Sequence, residues 1–146
     1  MTVFIVRLVC ALLAGIVIAY LTKTKRFVIP FALVTMGAVL VCYISTEYLK
    51  QTSVFTISDP ARLGAQAVIV VGFVGAGFFL TSNKGANADL SAAASLWASA
   101  IIGVLIGAGM MKVAFLAVAV VFLIFYFTEY LIDIIRKKSN TNTNSR

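Results

Sequence analysis

Five apolar stretches, each close to the roughly 20 residues that a helix needs to cross about 30 Å of hydrocarbon, occupy most of this chain. They cover residues 3–21, 27–48, 61–80, 91–108 and 113–135. With 62% hydrophobic and 12% charged residues among 146, the chain has too little polar surface to clothe a water-soluble globule. In lipid, backbone amides must find partners within the segment that carries them, so each stretch is expected to be a helix. The expected fold is therefore all-α, a polytopic membrane helix bundle of five transmembrane helices over residues 1–138. A disordered polar tail is expected at 139–146, where Asn, Thr and Ser repeat without apolar anchors. The apolar run begins almost at Met1 with no small-residue cleavage motif, and reads as a retained first span.

The connections differ in length. The link at 49–60 is long and ends in Ser58, Asp59 and Pro60, with Asp59 placed as an N-cap and Pro60 in the first turn of helix three. Pro30 falls in the first turn of helix two, where its missing N–H costs little. Residues 81–90 hold Ser82, Asn83, Gly85, Asn87 and Asp89, which read as a loop closed by a cap. The break at Gly107, Ala108 and Gly109 is short and predicts a tight antiparallel hairpin between helices four and five. Placing the first connection inside puts Lys23, Lys25, Arg26, Lys84, Arg136, Lys137, Lys138 and Arg146 in the cytoplasm, against Lys50, Arg62 and Lys112 outside. That bias predicts an outside N-terminus and a cytoplasmic C-terminus.

The formal charge of +7 does not imply nucleic-acid binding, because the basic clusters flank apolar segments, as topology signals do. Cys10 and Cys42 lie inside apolar segments and read as small hydrophobes. The sequence has no histidine, which removes the commonest metal ligand and general base. No nucleophile, base and orienter converge, so the expectation is a non-enzymatic protein without a cofactor.

Small residues recur every fourth position in helix four, at Ser91, Ser95, Ser99, Gly103 and Gly107, and in helix one at Ala11, Gly15 and Ala19. Helix three carries Gly64, Gly72, Gly75, Ala76 and Gly77. Such stripes let helix backbones approach closely in lipid. They serve packing within one protomer, or contacts with a second copy or another membrane protein.

The most chemical-looking cluster is Asp59, Arg62 and Gln66. An amide as deep as Gln66 needs partners and is expected to face the protein interior. The cluster reads either as a polar site for a cation or a partner's polar residue, or as a cap, an interfacial ion pair and a helix–helix hydrogen bond. Arg7 either snorkels to the headgroups or pairs with Asp59 or Glu47. Glu129 and Asp133, four apart with Lys137 a further four on, are weak candidates for Mg²⁺ held through its waters, or interfacial residues screened by the Arg136–Lys137–Lys138 run. The aromatic residues Phe122, Phe125, Tyr126, Phe127 and Tyr130 read as an interfacial belt.

The stretches DPARLGAQAVIVVGFVGAG, residues 59–77, and LSAAASLWASAIIGVLIGAG, residues 90–109, resemble the MgtC/SapB family of bacterial inner-membrane proteins. Asp59, Pro60, Arg62, Gln66, Gly72, Phe73, Gly75, Ala76, Gly77, Leu96 and Trp97 match the family pattern position by position. The resemblance implies a multi-pass protein of the bacterial inner (plasma) membrane, linked to growth under magnesium limitation and to virulence. Its best-known member is thought to regulate other membrane proteins, ATP synthase among them, rather than carry Mg²⁺. Two departures stand out. The family's glutamate at the end of helix one has no counterpart among Ala19, Tyr20, Leu21 and Thr22, and the C-terminal cytoplasmic domain of longer members has none either, so the chain resembles a short form.

Together these features predict a regulator acting by helix–helix contact with another integral membrane protein or with itself, in a lipid bilayer. Its packing surface is expected on helices three and four, through Gly72, Gly75, Gly77, Ser91, Ser95, Trp97, Ser99, Gly103 and Gly107, with Asp59, Arg62 and Gln66 adding polar specificity. The alternative is a small oligomeric cation or Mg²⁺ transporter or channel, its path lined by the helix-four serines, Gln66 and Glu129.

Overall fold

The computed structural model describes residues 2–22, 28–52, 59, 61–81 and 86–143, with the side chains of 48–52, 61, 78, 79, 81, 86–89, 133 and 135–143 set aside. Described residues form five helices: α1 (Thr2–Leu21), α2 (Val28–Thr52), α3 (Ala61–Thr81), α4 (Ala86–Gly107) and α5 (Met111–Thr143). Among the described residues there is no strand. α1, α2, α4 and α5 have the length and hydropathy of a membrane span, and α3 contributes a shorter apolar stretch, Arg62–Gly77. At 1.5 Å per residue the whole of α3 still rises about 32 Å.

α4 is the hub. Among the described residues it touches each of the other four helices, whereas α5 touches only α4 and α1. Half of the 90–107 stretch is buried inside the bundle, against 6% of 111–132. The cause is side-chain size. A Cβ added at Gly103 would stand 2.5 Å from the Thr35 carbonyl oxygen, and one at Gly107 would stand 2.7 Å from Cys42 Cβ. On the same face of α2, nearer its start, a Cβ at Gly15 would stand 2.8 Å from the Phe31 carbonyl oxygen. Glycine at these positions lets α1 and α4 press onto the backbone of α2. The contacts also fix direction: α2 and α4 run parallel, while α1 against α2 and α3 against α4 run antiparallel. The core of Ala11, Ile18, Ala19, Phe31, Val39, Leu96, Ile102, Ile106 and Ala114 fills the space between them.

The hydroxyls inside this core are satisfied locally. Thr35 donates to Phe31 O, Ser95 to Ser91 O and Ser99 to Leu96 O, each at 2.7 Å. Back-bonding of this kind lets a polar side chain sit in an apolar environment without a partner from another helix.

Three boundaries differ from those expected. α4 begins at Ala86, so Asn87 and Asp89 belong to its first turns rather than to a loop and cap. α2 runs on to Thr52. α5 continues to Thr143, five residues into the segment expected as a disordered tail, and residues 144–146 lie outside the described residues. Asn, Thr and Ser are poor but permitted helix residues once a long apolar helix has paid for nucleation.

The α4–α5 turn is a Schellman closure. Met110 N–H donates to Leu105 O at 2.9 Å, Gly109 N–H donates to Ile106 O at 3.1 Å, and Gly109 adopts φ 84°. The next orphan carbonyl, Gly107 O, accepts a hydrogen bond from Arg7 Nη1 at 2.9 Å. Arg7 thus caps α4 from α1, where a cation meets the negative end of the helix dipole. A carboxylate partner was one expectation for Arg7; the hydrogen bond it makes is to a main-chain oxygen at the turn instead.

Candidate functional site: the two faces of helix α3

α3 packs on α4 and, less extensively, on α2. Its inner face is made by Gly64, Gly72 and Gly75. A Cβ at Gly64 would lie 3.3 Å from Val104 Cγ1, one at Gly72 3.6 Å from Trp97 Cδ1, and one at Gly75 3.4 Å from Ala93 O. Trp97 is consequently half-covered, its indole edge laid over the space that Gly72 leaves.

At about 100° per residue, Gln66 sits about 200° round the helix from Gly64. The side chain expected to face the interior is therefore exposed. The reason lies in helix phase: the glycines claim the α4-facing side, and nothing two residues from Gly64 can share it. Arg62 is exposed on the same outer face, as are Ile69, Phe73, Ala76 and Leu80. Phe73 is 81% and Leu80 82% exposed. Gly77 also points outward, and a Cβ there would meet nothing within 4 Å. Among the described residues, the Gln66 amide has no hydrogen-bond partner.

Asp59 is exposed just before α3, and its carbonyl accepts from Arg62 N–H at 3.2 Å, which closes the first turn. Pro60 lies outside the described residues. Asp59, Arg62 and Gln66 thus stand along one end of α3. The α4 stripe is elsewhere: Ser95, Ser99, Gly103 and Gly107 are buried, with the two glycines against α2, and Ser91 is exposed at its end. Glu129 is exposed on α5, on the side opposite Arg62, and the Asp133 side chain lies outside the described residues. Among the described residues no three His, Cys, Asp or Glu side chains gather as metal ligands would. Phe122 and Tyr126 stack with centroids 6.5 Å apart on the outside of α5. Cys10 and Cys42 are free thiols.

Residues 8–133 match the MgtC family. The chain belongs to the MgtC family. Among its relatives, an uncharacterized protein of Haemophilus influenzae is 32% identical over 121 residues, covering 79% of this chain and 51% of that protein. Protein MgtC of Brucella abortus is 48% identical over 68 residues, 46% of this chain and 27% of the relative. The putative magnesium transporter YhiD of Escherichia coli is 48% identical over 52 residues, 36% of this chain and 24% of the relative. This MgtC-family chain spans about half or less of the length of these relatives. No solved structure matches it. It is a multi-pass membrane protein by its apolar helices and its family.

Arg7 is the residue that sequence reading placed least well. Its signal is a lone cation inside a first span, and its partner is a carbonyl 100 positions away in the chain.

Proposed function

We propose that this MgtC-family chain acts without catalysis in the bacterial inner membrane, regulating another integral membrane protein that docks on the outer face of α3. The observation that carries the reading is Gln66, an exposed amide five residues, or about 7.5 Å, inside α3. A primary amide facing hydrocarbon costs free energy until another helix supplies its hydrogen bonds. The exposed residues Arg62, Gln66, Ile69, Phe73, Ala76 and Leu80 advance in steps of four and three, the spacing of a left-handed helix seam. A polar residue at one position of such a seam fixes register and partner. Gly77 would let the second helix approach closely.

The excess of Lys and Arg on one side, eight against three, supports an outside N-terminus and a cytoplasmic C-terminus. Relatives named MgtC and putative magnesium transporter support a role in magnesium homeostasis. The name of the latter also favours a second reading, an oligomeric cation transporter. The back-bonded, buried serines of α4 weigh for the contact reading, since hydroxyls turned onto their own helix do not line a path.

Photo-crosslinkers placed at positions 69, 73 and 80 in membranes, compared with positions 116 and 123 on α5, test the proposal. A partner protein captured from α3, and lost in Gln66→Leu, is the expected result. Equal capture from both helices overturns it. Mg²⁺ flux in vesicles of purified protein would establish the transporter instead.

A further inference from the structure

Where α5 leaves the α4–α5 turn, Cys10, Ile106, Met111, Ala114, Phe115 and Val118 enclose a cavity of about 30 Å³, open on its outer side. A space of that size could admit a water, but a water needs two or more polar partners, and this lining offers apolar groups. Its chemistry suits a methylene segment of a hydrocarbon chain. Each wall carries a cation one turn nearer the helix end. Arg7 stands three residues before Cys10 on α1, and Lys112 three residues before Phe115 on α5, so each cation shares a helix face with a groove residue. Arg7 spends one N–H on Gly107 O, and guanidinium has five. Its Nη2 lies against the turn, 2.7 Å from where a Gly109 Cβ would be.

Lys112 is the second residue of α5, at headgroup depth. Arg7 starts five residues into α1, as deep as Gln66 in α3, but its guanidinium reaches the α4–α5 turn and so stands level with the helix ends. The carboxylates at this end of the bundle, Glu47 and Asp59, belong to α2 and to the start of α3. Among the described residues α3 touches neither α1 nor α5, and α2 touches α1 but not α5. The rim of the groove thus carries two cations, Arg7 and Lys112, against at most one carboxylate, Glu47.

From this arrangement we infer a binding site for an anionic phospholipid, its phosphate held between Arg7 and Lys112 and one acyl chain laid in the groove beside Phe115. The site is on the opposite side of the bundle from the α3 face and does not depend on it.

The test is lipid retention by the full chain in nanodiscs of equimolar phosphatidylglycerol and phosphatidylcholine, read by native mass spectrometry. The wild type should retain phosphatidylglycerol preferentially, and Lys112→Gln and Arg7→Gln should each lower that preference on the order of fivefold, the effect of one cation near an anionic lipid. Because Lys112 is exposed, its variant leaves the fold intact even if Arg7→Gln loosens the turn. Phe115→Ser should weaken retention of both lipids. No preference in the wild type, or an unchanged preference in Lys112→Gln and Arg7→Gln alike, overturns the inference. So does displacement of the lipid by inorganic phosphate alone, which would mark a plain anion site without a role for the groove.

Discussion

Gly103→Ala tests the packing of the bundle most directly. The new methyl would stand 2.5 Å from Thr35 O and 2.8 Å from Ala38 Cβ, and ordinary contact begins at 3.4 Å. The obstacle is backbone, so no side-chain rotation relieves it; α2 and α4 must separate by nearly 1 Å. A gap of that size forfeits a quarter to a half of the dispersion energy of each contact it opens, and overpacking in a dense core costs about 1–3 kcal/mol. Alanine returns up to about 1 kcal/mol through its better helix propensity. The net expectation is a loss on the order of 1–2 kcal/mol. Gly77→Ala supplies the control, because its methyl enters open space and keeps the propensity gain. Reversible unfolding in mixed micelles by SDS titration, followed by circular dichroism, measures both. The midpoint should fall for Gly103→Ala and hold or rise for Gly77→Ala. Equal midpoints would refute the close approach of α2 and α4.

Gly109→Ala forces a β-carbon into a left-handed backbone, at a cost of about 1–2 kcal/mol, and crowds Arg7 Nη2; the same titration should show it destabilised. Ser99→Ala should change stability by less than about 1 kcal/mol, because the hydroxyl it removes bonds to its own helix at Leu96 O. A loss several times larger would mean that Ser99 serves another helix.

The residues that were legible in the sequence are those whose role depends on size alone. Gly15, Gly103 and Gly107 stand in four-residue stripes, and a stripe of small side chains in an apolar segment needs no knowledge of its neighbour to be read as a close approach. Gln66 was misplaced because its face depends on the phase of α3 relative to α4, which is set by Gly64, Gly72 and Gly75 meeting Val104, Trp97 and Ala93. That pairing is a tertiary fact. Arg7 was uncertain for a related reason: main-chain carbonyls at the end of another helix leave no mark in side-chain chemistry. The length of α4 was underestimated because Asn87 and Asp89 favour loops as isolated residues and are equally at home in a first turn.

α5 has 33 residues, about 50 Å at 1.5 Å per residue, and hydrocarbon takes up only about 30 Å of that. It is tied to the bundle through the capped turn and the contacts of Ala114, Ala117, Val118 and Val121, and most of the described side chains beyond Val121 are exposed. A stiff rod held at one end converts a small rotation into a large excursion. An inclination of the rod by about 20° would displace the positions of Arg136, Lys137 and Lys138, about 39 Å along it, roughly 13 Å sideways. Arg136, Lys137 and Lys138 ride on that end, so a modest change at the α4–α5 corner becomes a relocation of positive charge across the membrane surface.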